Sequence, residues 1–401
     1  MNTEQLVRDV LREQADGQAP VGPGFADRVL AVRRRRRGRR AAGAAVATAV
    51  AVVVAVGVPL LDSGRDDVRP AGVVRQKDLH AHPDQAPPRE QIAAGRAVLA
   101  AYYTTAPVPQ AGGTAVLTHT YWLLDPSTGR YEKDDRWAFV AVAPGARTAA
   151  VLERGLPARR VGLLDLATGE VERWIAVERG VGGLAFSRDG SRLLATTYTG
   201  HPDLLDKPTV AGQDWTPRFG RSSRTGFLVL GLRDGTARWS AVPAGTDINS
   251  REDFAFARDE RHVYGRVVGE KDGLQQYYDL AGNKAAPPLG ERYLRSDVGA
   301  RLSPDGTLAA GGLFREPAGT SYSEILDPDT GERIAEVRGA QLLAWADERR
   351  LVAWERDPAS EAYRGRLVLV TVGSGKVVPL SGYREETGLY RQDWQPVFTT
   401  R

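Results

Sequence analysis

Two hairpin signals alternate from about residue 96 to the C-terminus, recurring roughly every 45 residues, the period of a four-stranded unit. Nearer the N-terminus, 21 residues run without a charge. Together these predict an all-β fold, a six-bladed β-propeller with seven blades as the alternative, preceded by a single transmembrane helix and a short cytoplasmic tail. The expected boundaries are 1–40 for the tail with its basic stop, 41–61 for the helix, 62–95 for an extracytoplasmic stalk and 96–401 for the propeller domain.

Of the 401 residues, 42 % are hydrophobic and 26 % charged, enough to bury a core and to exclude disorder as the dominant state. The chain has no Cys, which excludes disulfides, zinc fingers, thiol nucleophiles and lipid attachment through a lipobox thiol. The net charge of +4 is unevenly placed, because residues 1–40 hold 10 Arg against 5 acidic groups. The basicity therefore belongs to one short block and predicts no nucleic-acid partner.

That block prefaces a membrane segment. Residues 41–61 read AAGAAVATAVAVVVAVGVPLL, and a helix of that length, at about 1.5 Å per residue, spans the roughly 30 Å hydrocarbon layer. Arg33, Arg34, Arg35, Arg36, Arg37, Arg39 and Arg40 stand directly before it. Each would cost at least ~2.5 kcal/mol inside the bilayer, so they hold the N-terminus in the cytoplasm and send the C-terminus outside. The tail carries two short apolar stripes, with Leu6 and Val10 in one and Phe25 and Val29 in the other. Thirty residues cannot bury a core of their own, so the tail reads either as a partner-binding arm or as a solvated leader. Residues 62–95 are polar and Pro-containing, without a period, which reads as a stalk.

The first hairpin signal is an apolar strand ending at a turn with Gly, then a second strand. It appears as LLDPSTGR (123–130), LLDLATGE (163–170), VLGLRDGT (229–236), YYDLAGNK (277–284), ILDPDTGE (325–332) and LVTVGSGK (369–376). Asp accepts backbone N–H groups in such turns, and Gly supplies a left-handed residue, expected at Gly129, Gly169, Gly235, Gly282, Gly331 and Gly375. The second signal falls between the first, around APGA (143–146), SRDG (187–190), ARDE (257–260), SPDG (303–306) and ADER (346–349). Glu260 and Glu348 replace Gly there, so those two turns are expected to take another geometry. Six turns of the first kind and five of the second leave one inner strand missing. Trp394, Pro396, Val397 and Phe398 supply it, pairing the two chain ends in one blade and removing exposed edges.

The turns and the whole layout resemble a family of membrane-anchored WD-repeat-like and TolB-like β-propeller proteins of high-GC Gram-positive bacteria. The residues carrying the resemblance are the arginine run before the Ala/Val anchor, AAYYTT (100–105), RTAAVLERG (147–155), VGLLDLATG (161–169), SRTGFLVL (223–230), SEILDPDTGE (323–332) and LLAWADERRL (342–351). The Gly-His…Trp-Asp pair of WD repeats proper is absent. The resemblance implies architecture and location, a single-pass cell-membrane protein with its propeller outside, more than activity. It also implies a layout like that of membrane-bound anti-sigma regulators, and hence a cytoplasmic sigma-factor-type partner for the tail.

Catalytic patterns fail one by one. The chain has no G-x-S-x-G elbow. GSGK at 373–376 lacks the first Gly of a phosphate loop. His119, His201 and His262 stand at no metal-ligand spacing, and DPDTG at 327–331 lacks the carboxylate of a calcium loop. No catalytic, cofactor-binding or metal-ligating residue is expected, and no cofactor. The function expected is a non-enzymatic binding or sensing module with an extracytoplasmic ligand or protein as partner; the alternative is a cell-surface enzyme of glycosidase, lactonase or lyase type. One length anomaly marks either a binding site or a loop that covers an apolar patch. The glycine spacings 40, 66, 47, 49 and 44 place about 20 extra residues between Tyr198 and Phe227. This is a second-to-third-strand connection, on the face that receives ligands. His201, Asp203, Trp215, Arg218 and Arg221 are its candidate ligand-face residues.

Overall fold

In the computed structural model of the protein, the described residues are 78–207, 215–219, 222–243, 248–249, 251–267, 273–360, 364–385 and 394–401. The arm residues Leu6, Val10, Phe25 and Val29, the arginine stop, the 41–61 run and Arg221 lie outside them. No helix among the described residues is long and apolar enough to cross a membrane.

The described chain is all-β, folded as antiparallel sheets whose strands mostly follow in sequence order. The first sheet takes β1 (Leu79–His80), β2 (Ala93–Ala94), β3 (Ala97–Gln110), β4 (Thr114–Asp125) and β5 (Arg130–Asp134). The second begins with β6 (Trp137–Val142), β7 (Thr148–Glu153), β8 (Ala158–Asp165), β9 (Val171–Phe186) and β10 (Arg192–Tyr198). The first half of β9 pairs with β8 and its second half with β10, so one long strand carries the chain between two four-stranded groups without a loop. Next come β11 (Leu204–Asp206), β12 (Thr216–Phe219), β13 (Arg224–Gly231), β14 (Ala237–Ala241) and β15 (Ile248–Asn249). β13 and β14 complete the sheet of β10, while β11, β12 and β15 leave it.

β16 (Ala255–Phe256), β17 (His262–Arg266), β18 (Gln275–Asp279) and β19 (Lys284–Ala285) form a four-stranded meander. β20 (Ala309–Arg315), β21 (Tyr322–Leu326) and β22 (Arg333–Arg338) follow, with a Leu302–Ala309 bridge on the inner side. The last sheet holds β23 (Gln341–Trp345), β24 (Arg350–Arg356), β25 (Arg364–Thr371), β26 (Val377–Pro379) and β27 (Arg384–Glu385). β28 (Gln395–Thr400) then returns to pair antiparallel with β3, Gln395 opposite Tyr103 and Thr400 opposite Ala97. Consecutive four-stranded antiparallel groups with the two ends of the described chain in one sheet are the strand plan of a β-propeller.

The turns carry this plan as the residue types require. Asp125, Asp165 and Asp327 each accept N–H groups of their own turns, at 2.7 to 2.9 Å. Three expectations need correction. In the GSGK turn the left-handed residue is Gly373 (φ 76°), not Gly375. Glu260 takes the left-handed conformation (φ 53°) that its glycine siblings take. Its carboxylate makes up for the strain by pairing with Arg192 at 2.7 Å and accepting the Arg188 N–H at 2.6 Å. Residues 78–95, expected in the stalk, belong to the first sheet: β1 pairs with β2, and Ile92, Ala93 and Ala94 are buried.

An aromatic seam seals the returning strand. Trp394, 2 % exposed, packs edge-on against Tyr102 of β3 at 5.6 Å and against Trp354 of β24 at 5.0 Å. Tyr102 stacks in turn on Trp122 of β4 at 5.1 Å. The backbone also closes here, with Arg96 N–H donating to the Ala346 carbonyl at 2.9 Å and Gly145 N–H to the Thr400 carbonyl at 2.7 Å. Gly95 sits at φ 53°, where an added Cβ would press into the Ala346 carbonyl oxygen. Trp394→Ala is expected to cost about 3–5 kcal/mol in urea unfolding, the range for deleting a buried aromatic. A loss under about 1 kcal/mol would show that the seam does not hold the ends together. Gly95→Ala is expected to lower the melting temperature although it adds only a methyl group, and an unchanged melt would contradict the close approach to Ala346.

Candidate functional site

Of the residues singled out in the long insert, His201 and Asp203 come together in a clamp, while Trp215 and Arg218 stand outside it. β11 pairs with β4, Leu205 opposite Ala115, and β12 pairs with β11 and β15. The insert thereby adds strands to the overlong β3–β4 hairpin of the first sheet. Asp203, 9 % exposed, receives the Arg251 guanidinium on both carboxylate oxygens. Arg251 also reaches Asp253 at 2.9 Å and the Gly182 carbonyl, and stacks over Phe139 at 4.9 Å. Asp253 in turn accepts the Tyr198 hydroxyl at 2.7 Å. His201 turns inward, its Nδ1 accepting the Asp203 N–H at 3.1 Å.

His119, isolated in sequence, joins this group through Tyr103 and Tyr121, its ring 5.1 and 5.8 Å from theirs. Burial pushes His119 down to about 4 and lowers His201 too, so both rings are neutral at pH 7. Arg218 pairs with Asp206 at 3.6 Å and Trp215 is half-buried at the start of β12. The arrangement is a buried polar joint whose acid and base are already spent on each other. Its centre, Arg251-Glu252-Asp253, was missed in the sequence. Three charges in a row before the apolar FAF were the available signal. Glu252 pairs with Arg224 at 3.0 Å, both side chains almost fully buried.

The open space lies at the other end of the strands, among the turns of the second hairpin signal. A cavity of about 1050 Å³ is lined by Val142, Phe186, Phe256, Leu302, Ala344 and Phe398. One comes from each innermost segment: β6, β9, β16, the Leu302 bridge, β23 and β28. Its mouth carries Arg96, Arg188, Arg192, Arg258, Arg261 and Arg301 against Asp189, Asp259, Glu260 and Glu291.

Each of those acids is engaged. Asp189 accepts the Ser187 and Ser191 hydroxyls at 2.6 to 2.8 Å together with the Ser191 N–H, which holds it well below the usual carboxylate range. Asp259 caps its own turn and bonds the His262 ring at 2.7 Å. Glu260 holds Arg192. Glu291, 1 % exposed, accepts the Arg258 N–H at 2.5 Å, the Tyr277 hydroxyl at 3.0 Å and the Arg301 guanidinium. Among the described residues, no three His, Asp or Glu side chains are placed to hold a metal ion. What the cavity presents chemically is guanidinium groups over an apolar floor.

No protein-family model and no curated protein matches the chain. Among solved structures it is similar to TolB from Acinetobacter baumannii, with 15 % identity over 70 % of this chain and 67 % of that one, at a TM-score of 0.37. It is also similar to Kuenenia stuttgartiensis hydrazine synthase, with 12 % identity over 61 % and 65 % of the two chains and a TM-score of 0.34. A third is the Cps50 (Swd1) β-propeller domain of Myceliophteria thermophila, with 13 % identity over 63 % and 88 % and a TM-score of 0.29. The match takes in less than two thirds of the hydrazine synthase chain. The propeller fold of this chain rests on its own strand pairings.

Proposed function

We propose that the chain is a single-pass membrane protein, N-terminus cytoplasmic, whose extracytoplasmic six-bladed propeller is a non-enzymatic binding or sensing module with the axial cavity as its ligand site. The observation that carries the binding reading is the state of the cavity's acids. Glycosidase, lactonase and lyase chemistry most often draws on a carboxylate or histidine free to move a proton at the ligand. Every carboxylate at this mouth is tied to a turn, an arginine or a tyrosine. Six blades are supported by the six inner segments that share one cavity. The membrane location rests on the arginine block and the uncharged run after it, and the link from the tail to a cytoplasmic sigma-factor-type regulator rests on the two apolar stripes alone.

Two measurements test this reading. Protease added to intact protoplasts is expected to remove the propeller and leave a membrane-bound N-terminal fragment; complete protection overturns the topology. A thermal-shift screen of the full-length protein against cell-wall fragments, sugars and peptides is expected to find a ligand that raises the melting temperature and is recovered unchanged. Conversion of that ligand to a product would overturn the non-enzymatic reading.

A further inference from the structure

The axial cavity holds more positive charge than its turns and its acids call for. Four turns at its rim are APGA (143–146), SRDG (187–190), ARDE (257–260) and SPDG (303–306). Pro at the second place presets the turn, as at Pro144 and Pro304. In the two consecutive copies between them Arg188 and Arg258 stand there instead, and arginine does nothing for a turn that proline would not do better. The first of these turns is held by Ser187 and Asp189, the second by Asp259.

These arginines are also left over electrically. Arg188 is exposed and its side chain has no hydrogen bond or ion pair among the described residues; its backbone N–H alone bonds Glu260. Arg96, at the rim beside the closing strand, is the same, bonded only through its backbone. Arg258 spends two of its N–H groups on neutral acceptors, the Ser303 and Pro304 carbonyls, each at 2.7 Å. That pins its guanidinium plane in place without neutralising it. Burial and then the charge of Arg188 push its pKa down, with a smaller push from Arg96, against the opposing pull of Asp305 and Glu291. Like charges held together in a concave, partly desolvated site are costly until an anion joins them.

We propose that the axial cavity is an anion site for a small molecule bearing two or more phosphate or carboxylate groups, recognised by Arg96, Arg188 and Arg258. This rests on the binding reading above and adds the chemical class of the ligand. Guanidinium pairs with either group through parallel N–H···O bonds. The volume of about 1050 Å³ is that of a whole small-molecule site and far exceeds a lone phosphate ion. The apolar floor of Phe186, Phe256 and Phe398 leaves room for a carbon skeleton between the charged groups.

Calorimetric titration of the full-length protein in detergent, with tripolyphosphate, citrate and a neutral trisaccharide as probes, tests the proposal. At least one of the two anions is expected to bind saturably, more weakly as salt is added, and which one binds separates phosphate from carboxylate recognition. Arg188→Ala and Arg96→Ala are each expected to weaken that binding about tenfold or more, the scale of a lost charge-assisted bond, and Arg188→Lys by less. Arg238→Ala, an equal change of net charge on an exposed strand, leaves it unchanged. Ligand-free Arg188→Ala melts no lower than wild type, because no bond is lost. Binding equal in wild type and Arg188→Ala overturns the proposal, as does no binding of either anion. Saturable binding of the neutral trisaccharide with neither anion bound overturns the anion chemistry while the binding reading stands. Consumption of a bound probe overturns the binding reading instead.

Discussion

The return of β28 to β3 is the constraint on which the rest of the structure depends. A meander of four-stranded sheets ends in two strands with unpaired N–H and C=O groups, and those edges invite pairing with other chains. Placing Gln395–Thr400 beside Ala97–Gln110 removes both at once. It also ties together residues some 300 positions apart, so the loop-closure entropy of the whole chain is met by one strand pair and its seam. The aromatic contacts of Tyr102, Trp354 and Trp394 explain how so short a strand suffices, since each buried ring removes a large apolar area from water at low side-chain entropy. Phe398 of the same strand reaches the axial cavity, so the closure that completes the fold also completes the wall of that cavity.

Between the sheets, the contacts away from that seam are more polar than a hydrophobic core alone would make them. Arg251 with Asp203 and Asp253, Arg224 with Glu252, and Arg301 with Glu291 are ion pairs wholly or largely out of water. Such pairs add little net stability, because desolvation offsets most of their attraction, but each is costly to break or misplace. They therefore act on register. Gly183, for example, can be nothing larger, because a Cβ there would overlap the Asp253 carboxylate. The insert is held partly by the same logic, through Asp203, beside the burial of Leu205 against β4.

The polar economy of the cavity follows from the turns that frame it. Carboxylates close the second-signal turns by accepting their own N–H groups, which removes them from chemistry. Among the described residues, the side chains of Arg96 and Arg188 at the same rim have no such duty, so unpaired cation is left where the turns converge. A repeated turn, copied around the cavity, thus leaves unpaired cation as a by-product of its own construction.

Local chemistry made much of this legible in the sequence. Hairpins with Asp and Gly, the strand period and the use of the C-terminal residues around Trp394–Phe398 as the missing inner strand all depend on neighbours in the chain or on counting. The insert was legible as a length anomaly, and Asp203 and His201 as polar residues within it. What the sequence could not decide was which partners those residues meet. Arg251 lies 48 residues from Asp203 and His119 lies 84 before it in the chain, and only the folded sheets bring them together. The left-handed backbone of Glu260 escaped for the same reason, since its strain is met by Arg192, 68 residues away. Likewise, the arginines of the rim read as scattered surface charge until the ring places them around one cavity. Strand order, turn chemistry and the closing strand follow from local propensity and period, and so can be read along the chain. Which charges are spent on one another and which are left facing open space follows from distances across the fold, because electrostatic pairing joins residues far apart in the chain.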